Sequence, residues 1–358
     1  VDKSFTALKP SVRIKDIAER ANVSVGTVDR VLHNRGEVAP ETRALINKII
    51  EELGYKPNII ASTLAQKKQV RIAVLMPSPS AHDSYWQQHL AGIERAEVEI
   101  SHFGVSVRKY YFDIQDQESF LHQCEALCLD QPDGVLIMPV FEAASQSFVA
   151  ELTSRKIPFS FIDSVLPTEN KFLSFNGQDS YKSGFLAAKL MSYGVSKETT
   201  VLIIKIGADE YVAPHHLQRI QGFKAYLEEH NITETKIRTV SIPSASEEDV
   251  KKALTQAFTD YSFVRGLFVT DFDVHRVAKF VEEKKLGNIR LIGYDLLEAN
   301  IHYLKKGVID FLISQRPASQ GYKGLMNLFN HLVLKQTIAP QKPMPIDIIT
   351  KENVDYNL

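Results

Sequence analysis

Two cysteines in 358 residues, Cys124 and Cys128, are too few for a disulfide framework and suit a reducing compartment. The longest apolar runs, such as 135–140 and 201–204, are strand-sized, far short of the roughly 20 residues a membrane helix needs. The opening stretch VDKSFTALKPSVRIKD has no apolar core of the kind a secretion signal carries, so the expected location is cytoplasmic. No GxGxxG or Walker sequence follows the first apolar run of the body, and neither HExxH nor GxSxG occurs. Nucleotide-fold and hydrolase chemistry therefore lack their residues, and no cofactor, metal or enzymatic activity is expected. What is present is globular: 44% hydrophobic and 24% charged residues, with length for two to three domains at roughly 150 residues each.

A net charge of −1 hides an asymmetry. The first seventy residues carry twelve Lys or Arg against eight Asp or Glu, and the remainder thirty against thirty-five. A basic head on an acidic body points to a polyanion at one end. The head is helical in pattern. Ile14, Ile17 and Ala18 fall on one face, as do Val25, Val28, Val31 and Leu32. Between them Asn22 can take the left-handed conformation of a tight turn, and Ser24 is suited to cap the second helix. Pro40 opens a third helix, about 41–53, expected to bury Leu45, Ile49 and Leu53 and to stop at Gly54. Two short helices in a tight turn, covered by a third, make a helix-turn-helix unit, although a three-helix bundle without a DNA role has the same periodicity.

The spelling of the segment decides between these. Ile14-Lys15-Asp16-Ile17-Ala18, Val23-Ser24, Thr27-Val28, Arg30-Val31-Leu32, Thr42-Arg43, Leu53-Gly54-Tyr55 and Pro57-Asn58 resemble the N-terminal domain of the lactose-repressor (LacI) family almost residue for residue. The resemblance implies a second helix lying in the major groove. Ser24, Val25 and Gly26 then stand at its start facing base edges, Thr27 and Arg30 lie near bases or phosphates, and His33 is close by. Val25 and Gly26 offer no side-chain hydrogen bonds, so reading there would be apolar contact with groups such as thymine methyls. Asn22 stands where the family usually has Gly. Asp29 replaces the usual Ser, and a carboxylate near phosphate is expected to pair with a neighbouring base such as Arg30 or to turn away.

Residues 57–69 join head to body and are too short for a stable isolated helix, so a flexible linker is the plain reading. The resemblance adds a second state, a hinge helix ordered on DNA. In that state Asn58 takes part in the contact and Leu64 wedges into the minor groove, kinking the duplex by unstacking a step. Ser62 stands where the family usually has Arg, and Lys67 and Lys68 could compensate.

From Val70 the period changes. RIAVLMP, VSVRKYYF, GVLIMP, IPFSFID, KFLSFN, TVLIIKI, IRTVSI, GLFVTD and IRLIGYD alternate with helical stretches, the βα repeat of a parallel sheet covered on both faces. Cys124 and Cys128, with His122 nearby, read as core thiols in preference to a zinc site, and His215-His216 as a loop pair in preference to a metal site. The order of elements is similar to the periplasmic-binding-protein core of the LacI family, to about Pro317 and more loosely beyond. That resemblance implies two doubly wound lobes joined by three crossing strands, with a ligand held at strand ends between them.

The resemblance also assigns cleft residues. Asp83, Tyr85 and Trp86 follow the first strand, and flat rings suit the C–H faces of a sugar; the alternative is that Tyr85 or Trp86 packs in the core or a dimer interface. Asp163 follows IPFSFI, and Asp179 precedes a helix containing Gly184. Arg219 lies three residues before Gly222-Phe223, where sugar-binding members place an Arg. Asp271 takes the acid of the family's Asn-Asp pair, Asp295 ends LIGYD, and Gln315 matches a further contact. Arg219, Asp271 and Asp295 suit a polyol and equally an acid sugar. As cleft residues, Arg219 and Asp295 are expected to face water in the empty protein.

The expected protein is a homodimeric regulator that binds a pseudo-palindromic DNA operator and senses a small polar effector, a sugar or sugar derivative. Its domains are 1–56, a hinge at 57–69 and a core at 70–358. The rivals are a sugar-capture protein serving transport, which shares the body but not the head, and an enzyme on an α/β fold.

Overall fold

A computed structural model describes residues 12–32, 35–55, 69–79, 84–169, 171–194, 198–207, 214–340 and 343–357. His33, Asn58, Leu64, Asp83 and nearly all of the expected hinge lie outside the described residues. The chain divides into two units, Val1–Lys67 and Lys68–Leu358.

The smaller unit holds α1 (Ile14–Ala21), α2 (Val25–Leu32) and α3 (Pro40–Leu53). Asn22 ends α1 at φ 52° and ψ 46°, the left-handed conformation expected of it, and its neighbour Val23 returns its N–H to the Ala18 carbonyl. Ile17, Ala18, Ala21, Val28, Val31, Ile46 and Ile49 form a single core. This corrects the reading of α3: Leu45 is exposed and Ile46 is fully buried. Ile46, Ile49, Ile50 and Leu53 span the face that meets the core, and Leu45 falls at its outer edge, about 100° around the helix from Ile46. Gly54 caps α3 at φ 59°, and Arg20 on α1 pairs with Glu52 on α3 at 2.6 Å.

The larger unit repeats one wiring twice. Its first lobe runs β1 (Val70–Pro77), α4 (Ser84–Ser101), β2 (Val105–Phe112), α5 (Gln117–Asp130), β3 (Gly134–Ile137), α6 (Glu142–Ser154), β4 (Phe159–Ile162) and β5 (Ser174–Asn176). These strands form a parallel sheet in the order β2-β1-β3-β4-β5. The chain then crosses into α7 (Ser180–Ser192), β6 (Thr200–Ile206), α8 (Pro214–Glu229), β7 (Lys236–Ile242), α9 (Glu247–Asp260), β8 (Val264–Val269), α10 (Val274–Glu283), β9 (Arg290–Tyr294), α11 (Glu298–Lys305) and β10 (Phe311–Ser314). Their order, β7-β6-β8-β9-β10, is the same winding, extended by the antiparallel β11 (Asp347–Ile349). Between β10 and β11 the chain returns to lobe 1 as α12 (Pro317–Leu332), whose Leu325, Leu328 and Phe329 pack into the lobe 1 core.

β1 is buried along nearly its whole length, as a parallel strand covered on both faces must be. The expected apolar runs all became strands; β10 and β11, of four and three residues, were not among them. Cys124 is buried in the lobe 1 core, where burial pushes its thiol pKa well above the usual range. No helix among the described residues is long and apolar enough to cross a membrane.

Candidate functional site

Two places gather the sequence-predicted residues. The first is the start of α2. Ser24 caps it, its Oγ accepting the Thr27 N–H at 3.1 Å and lying 2.9 Å from the Thr27 hydroxyl. Ser24, Val25, Gly26 and Arg30 are exposed and Thr27 is half-buried. Val25 leaves 48% of its surface in water although the unit's own core is close by. A Cβ on Gly26 would meet nothing nearer than Ser24 Oγ at 3.7 Å, so packing within the unit does not demand glycine there. Asp29 is half-buried, and after burial its charge is the cause that raises the Tyr55 pKa.

The second place is the cleft between the lobes, at the C-terminal ends of the parallel strands. Its geometry starts from the repeat. Asp163 directly follows β4 and Asp295 directly follows β9, the corresponding strands of the two sheets. Both have left-handed backbones, φ 68° and 63°. Asp is among the few residues that tolerate this conformation, which turns the chain sharply at the strand end and leaves the carboxylate over the cleft.

Arg219 is placed by close helix contact. A Cβ on Gly184 of α7 would stand 2.0 Å from the Arg219 carbonyl oxygen, and one on Gly222 1.9 Å from that of Tyr181. Only glycines at both positions let α7 and α8 approach so closely. The guanidinium, 1% exposed, donates from Nη1 to the Thr270 carbonyl at 2.5 Å and from Nη2 to Gln315 Oε1 at 2.6 Å. Its Cζ lies 3.7 Å from the centre of the Tyr294 ring, and its Nε has no partner among the described residues.

Gln315 is the node of the network. Its backbone N–H and its Nε2 donate to the two Asp295 oxygens at 2.9 and 2.6 Å, and Nε2 also reaches the Tyr85 hydroxyl at 3.2 Å. Tyr85 in turn donates to Asp163 and stacks on Phe272 at 4.6 Å. Lobe 1 thus touches lobe 2 through Tyr85, and the cleft is closed on its own side chains. Burial pushes the Asp295 pKa up to about 6, and burial with the nearby Asp273 charge pushes Asp271 to about 8. Asp271 Oδ1 accepts the Asp273 N–H at 2.8 Å while its buried Oδ2 has no partner among the described residues.

The structure therefore brings together Tyr85, Asp163, Arg219, Asp295 and Gln315, with Asp271 joined through Thr270. Arg219 and Asp295 do not face water: they are 1% and 0% exposed. Trp86 packs in the lobe 1 core against Tyr85 and His89, its Nε1 unpartnered among the described residues. Asp179 caps α7, accepting the Lys182 N–H at 2.9 Å, and borders a cavity beside the network. Ser164, Gln178 and His215 border the same cavity, and the sequence reading missed Ser164, His215 and His216 as site residues. His215 and His216 are not a loop pair but sit in the first turn of α8, rings 4.3 Å apart. His215 Nδ1 lies 3.1 Å from Ser164 Oγ, and His216 Nδ1 3.0 Å from Thr270 Oγ1. Burial and their charged neighbours push both pKa values down, His216 to about 3, so both rings are neutral. Their proximity to Arg219, three and four residues on, was the available signal.

Comparison with known proteins agrees with this geometry. Residues 13–58 match the lacI family of bacterial regulatory proteins, and residues 72–336 match the periplasmic binding protein domain. The chain belongs to the LacI family. This LacI-family chain is accordingly a DNA-binding transcriptional regulator that responds to a small ligand, and not an enzyme. It is 27% identical over 289 residues to catabolite control protein A of Priestia megaterium, covering 80% of this chain and 74% of that one. It is also 27% identical over 288 residues to the ribose operon repressor of Bacillus subtilis, covering 79% and 81%. A solved chain from Bacteroides fragilis, described as a LacI transcriptional regulator, superposes with a TM-score of 0.75 at 30% identity, covering 81% of this chain and 99% of that one.

Proposed function

We propose that this LacI-family regulator is a cytoplasmic homodimer whose affinity for a pseudo-palindromic operator is set by a sugar or sugar derivative bound between its lobes. The domains are 1–56 for DNA, 57–69 for the hinge and 70–358 for effector binding and dimerisation. The observation that carries the effector site is the network at Gln315, where Arg219, Asp295, Tyr85 and Asp163 meet across the two lobes. These groups satisfy one another in the closed cleft, and a polyol can replace each of those bonds with a hydroxyl, which both donates and accepts. Asp83, Trp86, Asp179 and Asp271 complete the effector set. On the DNA side Val25 and Gly26 supply apolar contact, Ser24, Thr27, Arg30 and His33 supply polar contact, and Asn58 and Leu64 act in the hinge.

The mechanism is linkage. A ligand that binds one arrangement of the lobes more tightly than another shifts that equilibrium, and DNA affinity changes by the same coupling free energy that DNA exerts on the ligand. The test is a thermal-shift screen of sugars on the full chain, since ligand above its Kd stabilises by RT ln(1 + [L]/Kd), followed by gel shifts with and without the hit. A sugar that stabilises the chain and alters its preference for a palindrome over random DNA is the expected result. No palindrome preference in either condition overturns the operator reading. Leu64→Ala is expected to lose operator affinity while keeping effector affinity.

A further inference from the structure

Beside the Gln315 network lies a cavity of about 180 Å³, bordered by Asp163, Ser164, Gln178, Asp179, His215 and Gln218. It is reached from both lobes and from the segment that crosses between them after β5. Its size is below the roughly 300–1,000 Å³ of sites that enclose drug-sized ligands, which suits a small ligand or one end of it. We infer that this cavity receives a protonated amine, so that the effector is an amine-bearing polyol of the amino-sugar class; the inference rests on the sugar-responsive reading above.

Three observations carry it. First, the border has two carboxylates and, among its described residues, no Lys or Arg. Arg219, next to Gln218 on α8, does not border it, and its Nη atoms donate to Thr270 and Gln315. Second, Gln178 is 3% exposed, and its Nε2 is committed to the Ser314 and Pro345 carbonyls at 3.0 Å each. Two carbonyl partners fix which end of the amide is nitrogen, so the buried Oε1 is an acceptor, and among the described residues it has no donor. Third, His215 adds no positive charge, because burial, His216 and Arg219 hold its pKa far below the usual value.

The donor balance follows. Asp163 takes the Tyr85 and Ser164 hydroxyls. Asp179 takes one backbone N–H, which leaves a carboxylate most of its accepting capacity. Among its described residues the cavity thus has acceptors and negative charge in excess. A hydroxyl can serve one acceptor but neutralises nothing. A carboxylate or phosphate on the ligand would meet two like charges. An ammonium supplies three donors and the missing charge, and charge-assisted bonds of this kind are the strong ones.

The experiment is calorimetric titration of the full chain with matched series: glucose, glucosamine, gluconate and glucose 6-phosphate, and the galactose and mannose counterparts. In the series that binds, the amine is expected to bind at least about tenfold more tightly than its parent, with the acid and the phosphate weaker than the parent. Asp179→Asn keeps a capping oxygen for α7 and removes the charge. It should bring the amine-to-parent affinity ratio down toward one, with the melting temperature confirming that the variant folds. A parent that binds as tightly as its amine, or an acid or phosphate that binds more tightly, overturns the inference and leaves the sugar reading standing. An unchanged ratio in folded Asp179→Asn overturns the placement of the amine. Failure of every compound to bind overturns the sugar reading and the inference with it.

Discussion

Replacing Arg219 with Ala should destabilise the ligand-free protein substantially. The side chain is 1% exposed, stacks 3.7 Å over Tyr294 and donates to Thr270 and Gln315. Its removal strands the Gln315 Oε1 and the Thr270 carbonyl and leaves the buried Asp295 and Asp271 without their nearby cation. A stranded acceptor costs about 1–3 kcal/mol, and a desolvated cation–π contact is worth about 2 kcal/mol. Against this stands relief of the unpartnered Nε and of the cost of burying the charge itself. Removing one member of a buried charged set typically leaves a net loss of about 3–5 kcal/mol. At roughly 2 °C per kcal/mol for a unit of this size, the melting temperature should fall by roughly 6–10 °C. The assay is calorimetric melting without ligand for Arg219→Ala, Gln315→Ala and the double variant. The double variant should be more stable than the sum of the single losses implies, by on the order of 1–3 kcal/mol, because the two side chains share a bond. A melting temperature within about 1 °C of the parent in Arg219→Ala would refute the reasoning and mark the guanidinium as ligand-facing only.

Asp271 holds its proton to about pH 8 in the native state, whereas an unfolded Asp releases it near pH 4, so the folded chain binds more protons between these values and stability should fall as pH rises. Below about pH 6.5 the depressed pKa values of His89, His215 and His216 act oppositely, because unfolding then takes up protons. Urea melts above about pH 7.5, where unfolded histidines are largely neutral, read the Asp271 effect: a decline in the parent through pH 8 that Asp271→Asn lacks is expected, and a parent profile as flat as the variant's there counts against it. Gly184→Ala should cost about 1–3 kcal/mol, because its Cβ would stand 2.0 Å from a backbone oxygen of α8 that no side-chain movement can clear; unchanged melting would show the helices to be farther apart. Ser24→Ala removes the cap of α2 and should cost about 1 kcal/mol, read as faster amide exchange in α2 with exchange in the larger unit unchanged.

Much of this protein was legible in the chain. Helix starts and stops in the head are written in local chemistry: Asn22 and Gly54 fall where a left-handed residue is required, and Ser24 where an N–H needs an acceptor. Covered parallel strands are nearly continuous apolar runs, so β1, β3, β4, β6, β8 and β9 could be read directly, whereas the edge strands β2 and β7 mix apolar and polar positions. The cleft set Tyr85, Asp163, Arg219, Asp295 and Gln315 came from resemblance. No periodicity links residues separated by as many as 230 positions, as Tyr85 and Gln315 are.

What only the tertiary structure decided is how those groups are used. That Leu45 faces water and Ile46 the core depends on which side of α3 meets α1 and α2, a choice that neighbouring apolar residues leave open. The three or four residues of β10 and β11 carry too little pattern to register as strands, and pairing with the existing sheet edge makes them so. Arg219 looked like a water-facing cleft group because a lone charge ordinarily keeps its hydration. It is buried because Gly184 and Gly222 bring two helices together and because Tyr294, Thr270 and Gln315 converge on it from other strands. Sequence specifies which side chains a chain owns and where it turns; the balance of donors, acceptors and charge around each one exists only after distant segments have met.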